Sequence, residues 1–268
     1  MPARLDRITL YPIKSLDGVE VPEARVLANG ALENDRRYAL LDRHGNFLNG
    51  KANARVHRLR ARFGAGFEEV ELAVDGESPP QRFHLEADRE SLEGWLAAYF
   101  DQPVRLGENR EEGFGDDQEN PGATLMSSAT YEAVAGWFPR LGVEELRRRF
   151  RTNLDLGEVP AFWEDHLVAP RGQNIRFRIG EVVFEGANPC QRCVVLSRDS
   201  RTGETGADFA RQFIRNRQAT LPLWAPRSRF DHFHRMAVNT CRPSASPGSP
   251  ATLRPGDPVE ILGLVPAA

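Results

Sequence analysis

The sequence predicts a mainly β chain with accessory helices, an α+β fold built of two barrel-like β units. Two observations carry this. Short apolar stretches alternate with polar residues at a period of two, the mark of half-buried strands. Between them stand turn signals: Asp17-Gly18, Asn29-Gly30, His44-Gly45-Asn46 and Asp75-Gly76.

In chain order, the first strand carries Ile8 and Leu10 between Arg7, Thr9 and Tyr11. Two more follow, with Leu59, Ala61 and Phe63 on one face and then Val70, Leu72 and Val74. A helix comes next. Leu92, Trp95, Leu96 and Tyr99 fall at helical spacing, and Asp88 stands at the N-cap position. Glu108 to Gly122 is acidic and nearly free of apolar side chains, which predicts a linker or surface loop. The predicted division is therefore an N-terminal unit over 1–110, a linker over 111–122 and a second unit over 123–266.

A second helix is predicted with Ser127 or Ser128 as cap, Tyr131, Val134 and Phe138 on one face, and Pro139 as its stop. A short helix over Glu144–Arg149 leads to a strand over Phe150–Leu156. Strands are expected around Ile175–Ile179 and Val182–Phe184, another opening at the cysteine pair and running into Val194-Val195-Leu196, and a helix over Ala207–Arg217. Arg242–Pro250 is Pro/Ser-rich and reads as a loop, and Val259–Leu262 as the last strand.

Composition narrows the function. The chain has 268 residues, 40% hydrophobic and 27% charged, with net charge -3. That balance predicts no nucleic-acid surface and no polybasic membrane patch. No apolar run approaches the ~18 residues of a membrane span, and the N-terminus lacks a secretory core, so a cytoplasmic location is expected. Three cysteines make no disulfide framework.

Asn188-Pro189-Cys190-Gln191-Arg192-Cys193 is the candidate chemical motif. Four readings stand open from the residues alone. A structural zinc site wants a second ligand pair, whereas only Cys241 and the His232/His234 pair remain. A thioredoxin-type redox pair wants to open a helix. Two inert buried thiols are the plainest reading. The fourth is one thiolate ligand to a metal held mainly by a cofactor, with Arg192 nearby to favour a thiolate. Asp231-His232-Phe233-His234, if on a strand, would put both rings on one face, and a surface or supporting role is expected for it.

The stretch from Gly180 to Cys193, followed by Asp199-Ser200-Arg201-Thr202-Gly203, resembles the signature of MOSC domains, the C-terminal domains of molybdenum cofactor sulfurases. It looks in particular like the amidoxime-reducing component of mitochondria and its bacterial relatives. Four further blocks resemble the family in the same order: Tyr11-Pro12-Ile13-Lys14-Ser15, Asp35-Arg36-Arg37-Tyr38, Phe150-Arg151-Thr152-Asn153 and Leu253-Arg254-Pro255-Gly256-Asp257. The resemblance implies a β-barrel N-terminal domain and a β-barrel MOSC domain. It implies Cys193 as molybdenum ligand and catalytic thiolate. Lys14, Ser15, Arg36, Arg151, Asn153 and Arg192 become cofactor contacts, with Ser128 on a cofactor-side loop.

The implied activity is that of a molybdenum oxidoreductase acting on N-hydroxylated or N-oxide compounds. The other implied function is a non-catalytic module that carries or delivers the cofactor or its sulfur. A family-level association with pyridoxal phosphate comes with the resemblance. With no four-cysteine iron–sulfur cluster in this sequence, the expected electron donor is a separate ferredoxin-like or cytochrome b5-like protein with its reductase. Around Phe233-His234-Arg235-Met236 the family pattern is not kept, and the substrate class is left open there.

Overall fold

The structure is a computed structural model that describes residues 2–77, 79–243 and 251–267. They form fifteen strands and four α helices, the mainly β fold expected. In order these are β1 (Arg4–Leu10), β2 (Val19–Glu20), β3 (Ala24–Val26), β4 (Tyr38–Leu41), β5 (Leu59–Phe63), β6 (Glu69–Val74), β7 (Gln81–His84), α1 (Arg89–Phe100), β8 (Arg105–Glu108), β9 (Leu125–Ser127), α2 (Ser128–Trp137), α3 (Val143–Phe150), β10 (Leu154–Gly157), β11 (Gln173–Ile179), β12 (Val182–Gln191), α4 (Phe209–Thr220), β13 (Arg235–Cys241), β14 (Ala251–Leu253) and β15 (Val259–Pro266).

The largest sheet runs β15-β11-β12-β13-β9-β10-β1-β2. Its inner face carries Ile8, Leu10, Leu125, Leu154, Phe177, Phe184 and Val238 into one core. A second core lies under β4–β8 and β5–β6–β7, where Leu40, Val56, Val70 and Leu72 meet Leu92, Leu96 and Phe100 of α1. A third packs α2, α3 and α4 through Tyr131, Phe150 and Phe213. The N-terminal strands do not keep to themselves. β1 pairs antiparallel with β10, and β3 pairs with β14. No helix among the described residues is long and apolar enough to cross a membrane.

Several local expectations change. Phe150 ends α3 instead of opening a strand. Arg151 adopts the left-handed region at φ 54 and its N–H caps the helix on the Arg147 carbonyl, so pairing resumes only at Leu154. The cysteine pair does not open a strand either. β12 runs on through Pro189 and Cys190 with two bulges, and Val194–Ser197 is a 3-10 turn that buries Leu196. A short apolar run reads the same for either outcome. Asp88 stands at the α1 N-cap position, but its carboxylate accepts from the His84 N–H and not from the helix. Ser127 is the α2 cap and accepts from the Thr130 N–H at 3.2 Å. α4 starts at Phe209 and β15 extends to Pro266. Of the Pro/Ser-rich segment, residues 244–250 lie outside the described residues.

A buried ionic group ties the helical core to the large sheet. Arg217, fully buried, donates to both Asp165 oxygens at 2.7 and 2.8 Å and to the Arg235 carbonyl at 3.2 Å. Beside it, the Glu164 carboxylate accepts from the Ser127 N–H and the Thr130 hydroxyl.

Two consequences are testable. Burial, reinforced by Asp165, pushes the Glu164 carboxyl from its ordinary 4.5 up to about 7. The folded chain then holds this proton more tightly than the unfolded chain. The stability so gained is full below the ordinary value and is lost as pH rises through the folded one. Glu164→Gln should flatten the fall in urea-measured stability between about pH 5 and about pH 7; an undiminished slope would refute the assignment. Gly186 is constrained differently, since a Cβ there would meet the Leu167 carbonyl oxygen at 1.8 Å. Gly186→Ala should cost about 2–3 kcal/mol or more by strain. Gly136→Ala, in open space on α2, should stabilise by about 0.5–1 kcal/mol in the same unfolding assay.

Candidate functional site

A cleft of about 1750 Å³ opens where the two halves of the chain meet. Backbone pairing brings its N-terminal wall together. The Tyr11 carbonyl accepts from the Arg36 N–H at 2.8 Å, the Tyr38 N–H donates to the Pro12 carbonyl at 2.9 Å, and the Lys14 N–H donates to the Tyr38 carbonyl at 2.8 Å. Asp35 adds its carboxylate to the Tyr11 N–H at 2.8 Å. Residues 11–15 and 35–38 are thereby zipped side by side, which puts Lys14, Ser15 and Arg36 on one wall.

The second wall follows from the end of α3. Arg151 lies over the Tyr11 ring, 4.1 Å from its centroid, and Arg36 lies over the same ring at 5.1 Å. Arg36 pairs with Asp35 and donates to the Asn153 Oδ1 at 3.3 Å and the Arg151 carbonyl at 3.2 Å. Burial works against the Arg36 charge, but Asp35, joined by Asp116 and Tyr11, outweighs it and raises its pKa. Arg151 forms no ion pair among the described residues, and Asp17 and Asp35 support its charge only weakly. Burial and then the Arg36 charge lower its pKa, while the Tyr11 hydroxyl opposes them, and its Nη2 is buried with no hydrogen-bond partner. Burial pushes the Tyr11 hydroxyl up to about 12, so the ring stays neutral. Ser15, Arg36 and Arg151 all have positive φ, at 71, 51 and 54. That region is unfavourable for side-chain-bearing residues and collects at sites where geometry overrides backbone preference.

Asn153 lines the cleft, but its amide is engaged. Oδ1 accepts from the Thr124 N–H and hydroxyl, and Nδ2 donates to the Thr9 carbonyl at 3.1 Å. It therefore holds Arg36 and two strands in place. Ser128 does not reach the cleft. Its hydroxyl donates to Asp6 at 2.7 Å in a separate shallow hollow, because the first turn of α2 faces away.

The two cysteines differ. Arg192 donates to the Cys190 Sγ at 3.0 Å and also to the Phe150 carbonyl, and Cys190 packs against the helical core. The Cys193 thiol sits at the start of the 3-10 turn, half-buried on the cleft, and makes no hydrogen bond among the described residues. Arg192 is thus a brace between Cys190 and α3, with its Nε left without a partner. His232 and His234 precede β13 in a loop instead of lying on a strand, because the strand starts only at Arg235. No three His, Cys, Asp or Glu side chains converge as metal ligands among the described residues.

The segment 111–122 crosses the cleft. Lys14 Nζ donates to the Phe114 carbonyl at 2.7 Å and to Asp116 at 2.6 Å, and Lys51 approaches the same carboxylate at 3.4 Å. Asp117 accepts from Asn239 at 2.9 Å and Asn188 at 3.3 Å on the far wall. The chain has only two lysines, and both face Asp116. That rarity among so many arginines was a signal in the sequence for Lys51 and the acidic loop. Burial pulls the Lys14 ammonium below its ordinary value, and Asp116 opposes this. Burial acts against the Asp116 charge too, but Lys14, with Lys51 and Arg36 behind it, holds that carboxyl well below the usual carboxylate range.

Comparison with known proteins follows the same outline. The MOSC N-terminal beta barrel domain profile matches residues 2–103, and the MOSC domain profile matches residues 115–260, more than half of the chain. Among curated proteins, molybdenum cofactor sulfurase from Drosophila grimshawi is 25% identical over 93% of this chain and 34% of its own length. Those from Bos taurus and Homo sapiens are each 23% identical, over 80% and 82% of this chain and 29% of their own length. The chain thus spans about a third of these relatives. Among solved structures, the YuaD protein from Bacillus subtilis aligns over 97% of this chain and 96% of its own, at 11% identity and a TM-score of 0.39.

Asp116→Asn removes the group that opposes the burial effect on Lys14. The pH midpoint for labelling Lys14 with a small amine-directed reagent, read on its peptide by mass spectrometry, should move down. An unmoved or higher midpoint would show that Asp116 does not control this amine.

Proposed function

The chain belongs to the MOSC family, and on that premise we propose that it holds a molybdenum cofactor in the cleft, with Cys193 as the thiolate ligand to the metal. The observation that carries this reading is the Arg151 guanidinium, buried beside a like charge with one nitrogen unpartnered. A site with that surplus of positive charge fits an anionic ligand, and a molybdopterin phosphate is one. Cys193 adds a thiol on the same cleft with no competing partner among the described residues. Together these residues fit the group.

In this reading Arg36 and Arg151 bind and orient the ligand's acidic part, and Lys14 exchanges Asp116 for it. Ser15 offers a neutral donor and acceptor beside them. Asn153 and Asp35 keep Arg36 in register. Arg192 keeps Cys190 away from the metal position by holding its sulfur. When bound, the cofactor would supply two-electron chemistry that removes oxygen from an N-hydroxylated or N-oxide substrate. The protein's part is to bind, orient and exclude water. The electrons in this reading come from a separate donor protein of the ferredoxin-like or cytochrome b5-like kind.

A second reading has support from the relatives. They are named molybdenum cofactor sulfurases, and the chain matches only about a third of their length. A module that binds and delivers the cofactor or its sulfur would use the same cleft without turnover.

The experiment is metal and pterin analysis of protein made in a cofactor-competent host, followed by benzamidoxime reduction with an artificial electron donor. Cys193→Ala should lose molybdenum and Cys190→Ala should keep it. Equal loss from both would make the pair a unit and end the single-ligand assignment. Holo-protein that does not turn over benzamidoxime would support delivery over reduction.

A further inference from the structure

A second group of cations lines the same cleft, beside Cys190 and remote in sequence from Lys14 and Arg36. Arg229 donates to the Ala169 carbonyl at 3.1 Å and the Ala187 carbonyl at 2.6 Å. Arg235 donates to the Pro189 carbonyl at 3.1 Å. Ala187 and Pro189 stand two residues apart on β12, so the carbonyls that hold the two guanidiniums are near neighbours along the strand. Bulges in the β12–β13 ladder, between Gly186 and Asn188 and between Pro189 and Gln191, leave Ala187 without a register partner. Arg171, exposed in the turn before β11, completes the group and acts electrostatically on Arg229.

The charge balance here differs from that at the N-terminal wall. Arg36 has Asp35 and Lys14 has Asp116. Arg235 has one half-exposed carboxylate, Asp231, at 2.9 Å. Arg171 and Arg229 pair with no carboxylate among the described residues. Burial, and then the charges of Arg171 and Arg235, lower the pKa of Arg229. Backbone carbonyls orient a guanidinium but leave its charge in place. Three guanidiniums sharing one half-exposed carboxylate leave a surplus of positive charge that an anion would balance, and a guanidinium fork matches a carboxylate.

We propose that Arg171, Arg229 and Arg235 form a carboxylate-recognition subsite in the cleft beside Cys190, which selects substrates bearing an anionic group away from the reacting nitrogen. The substrate class rests on the reductase reading, whereas the anion site does not depend on turnover.

The test is calorimetric titration of the full chain as purified with 4-carboxybenzamidoxime and with neutral benzamidoxime, alongside reduction assays of both. The carboxylate compound should bind about tenfold tighter at low salt, and added salt should shrink the difference. Arg229→Gln and Arg171→Gln should each cut that preference at least about threefold and leave benzamidoxime binding unchanged. Arg229→Gln gives up two carbonyl bonds and risks the local fold. Arg171→Gln gives up no side-chain bond and carries the test alone if needed. Equal affinity of the natural chain for both compounds, or an unchanged preference in both variants, overturns the subsite. Loss of molybdenum and pterin from Arg171→Gln protein also overturns it, by putting the cofactor phosphate on these residues. Arginine-dependent carboxylate binding without reduction of either compound upholds the subsite and sinks the reductase reading instead.

Discussion

Two buried arginines over one tyrosine ring set the terms for everything around the cleft. Removing a guanidinium from water costs several kcal/mol after relaxation, and two together add their repulsion. The chain meets this cost unevenly. Arg36 receives Asp35, Asn153 and a backbone carbonyl, while Arg151 receives the Tyr11 face and retains an unpartnered nitrogen. Both residues also sit in left-handed backbone, a further cost of about 1–2 kcal/mol each. In the proposed reading this arrangement is pre-organised for the anionic ligand, since these two side chains already stand on the cleft wall.

That arrangement explains why the two halves of the chain are interleaved. Tyr11 and Arg36 come from the N-terminal half, and Arg151 and Asn153 from the C-terminal half. β1 must leave its own half and pair with β10 for them to meet. Asn153 closes the junction by bonding Thr9, Thr124 and Arg36 at once. The acidic segment then crosses the opening. Asp116 balances the two lysines on one wall, and Asp117 bonds the two asparagines on the other. Charge in this cleft is therefore graded. It is compensated by carboxylates at Lys14 and Arg36, partly compensated at Arg151, and left to backbone carbonyls at Arg229.

Much of the site was legible because it is coded in short local blocks. Lys14, Ser15, Arg36, Arg151, Asn153, Arg192 and Cys193, each in a block singled out from the sequence, line one cleft. What failed were positions whose direction depends on packing. Ser128 stands one residue past the α2 cap, and a single step around a helix start turned it toward Asp6. Arg229 had no local pattern to betray it, because its carbonyl partners lie far off in sequence.

The sequence by itself determined the mainly β fold, the helices with clear apolar stripes, the segments that meet at the cleft and the family. Periodicity and capping act over a few residues, so they survive in one dimension. Only the tertiary structure decided which atoms are engaged. Cys190 and Cys193 are three residues apart and chemically identical. Both line the cleft, but Arg192 and the helical core engage one sulfur, and the other makes no hydrogen bond among the described residues. The physical reason is that a hydrogen bond or an uncompensated charge depends on what else converges within a few ångströms. Convergence across more than a hundred residues is written in the pairing of strands and not in any single segment.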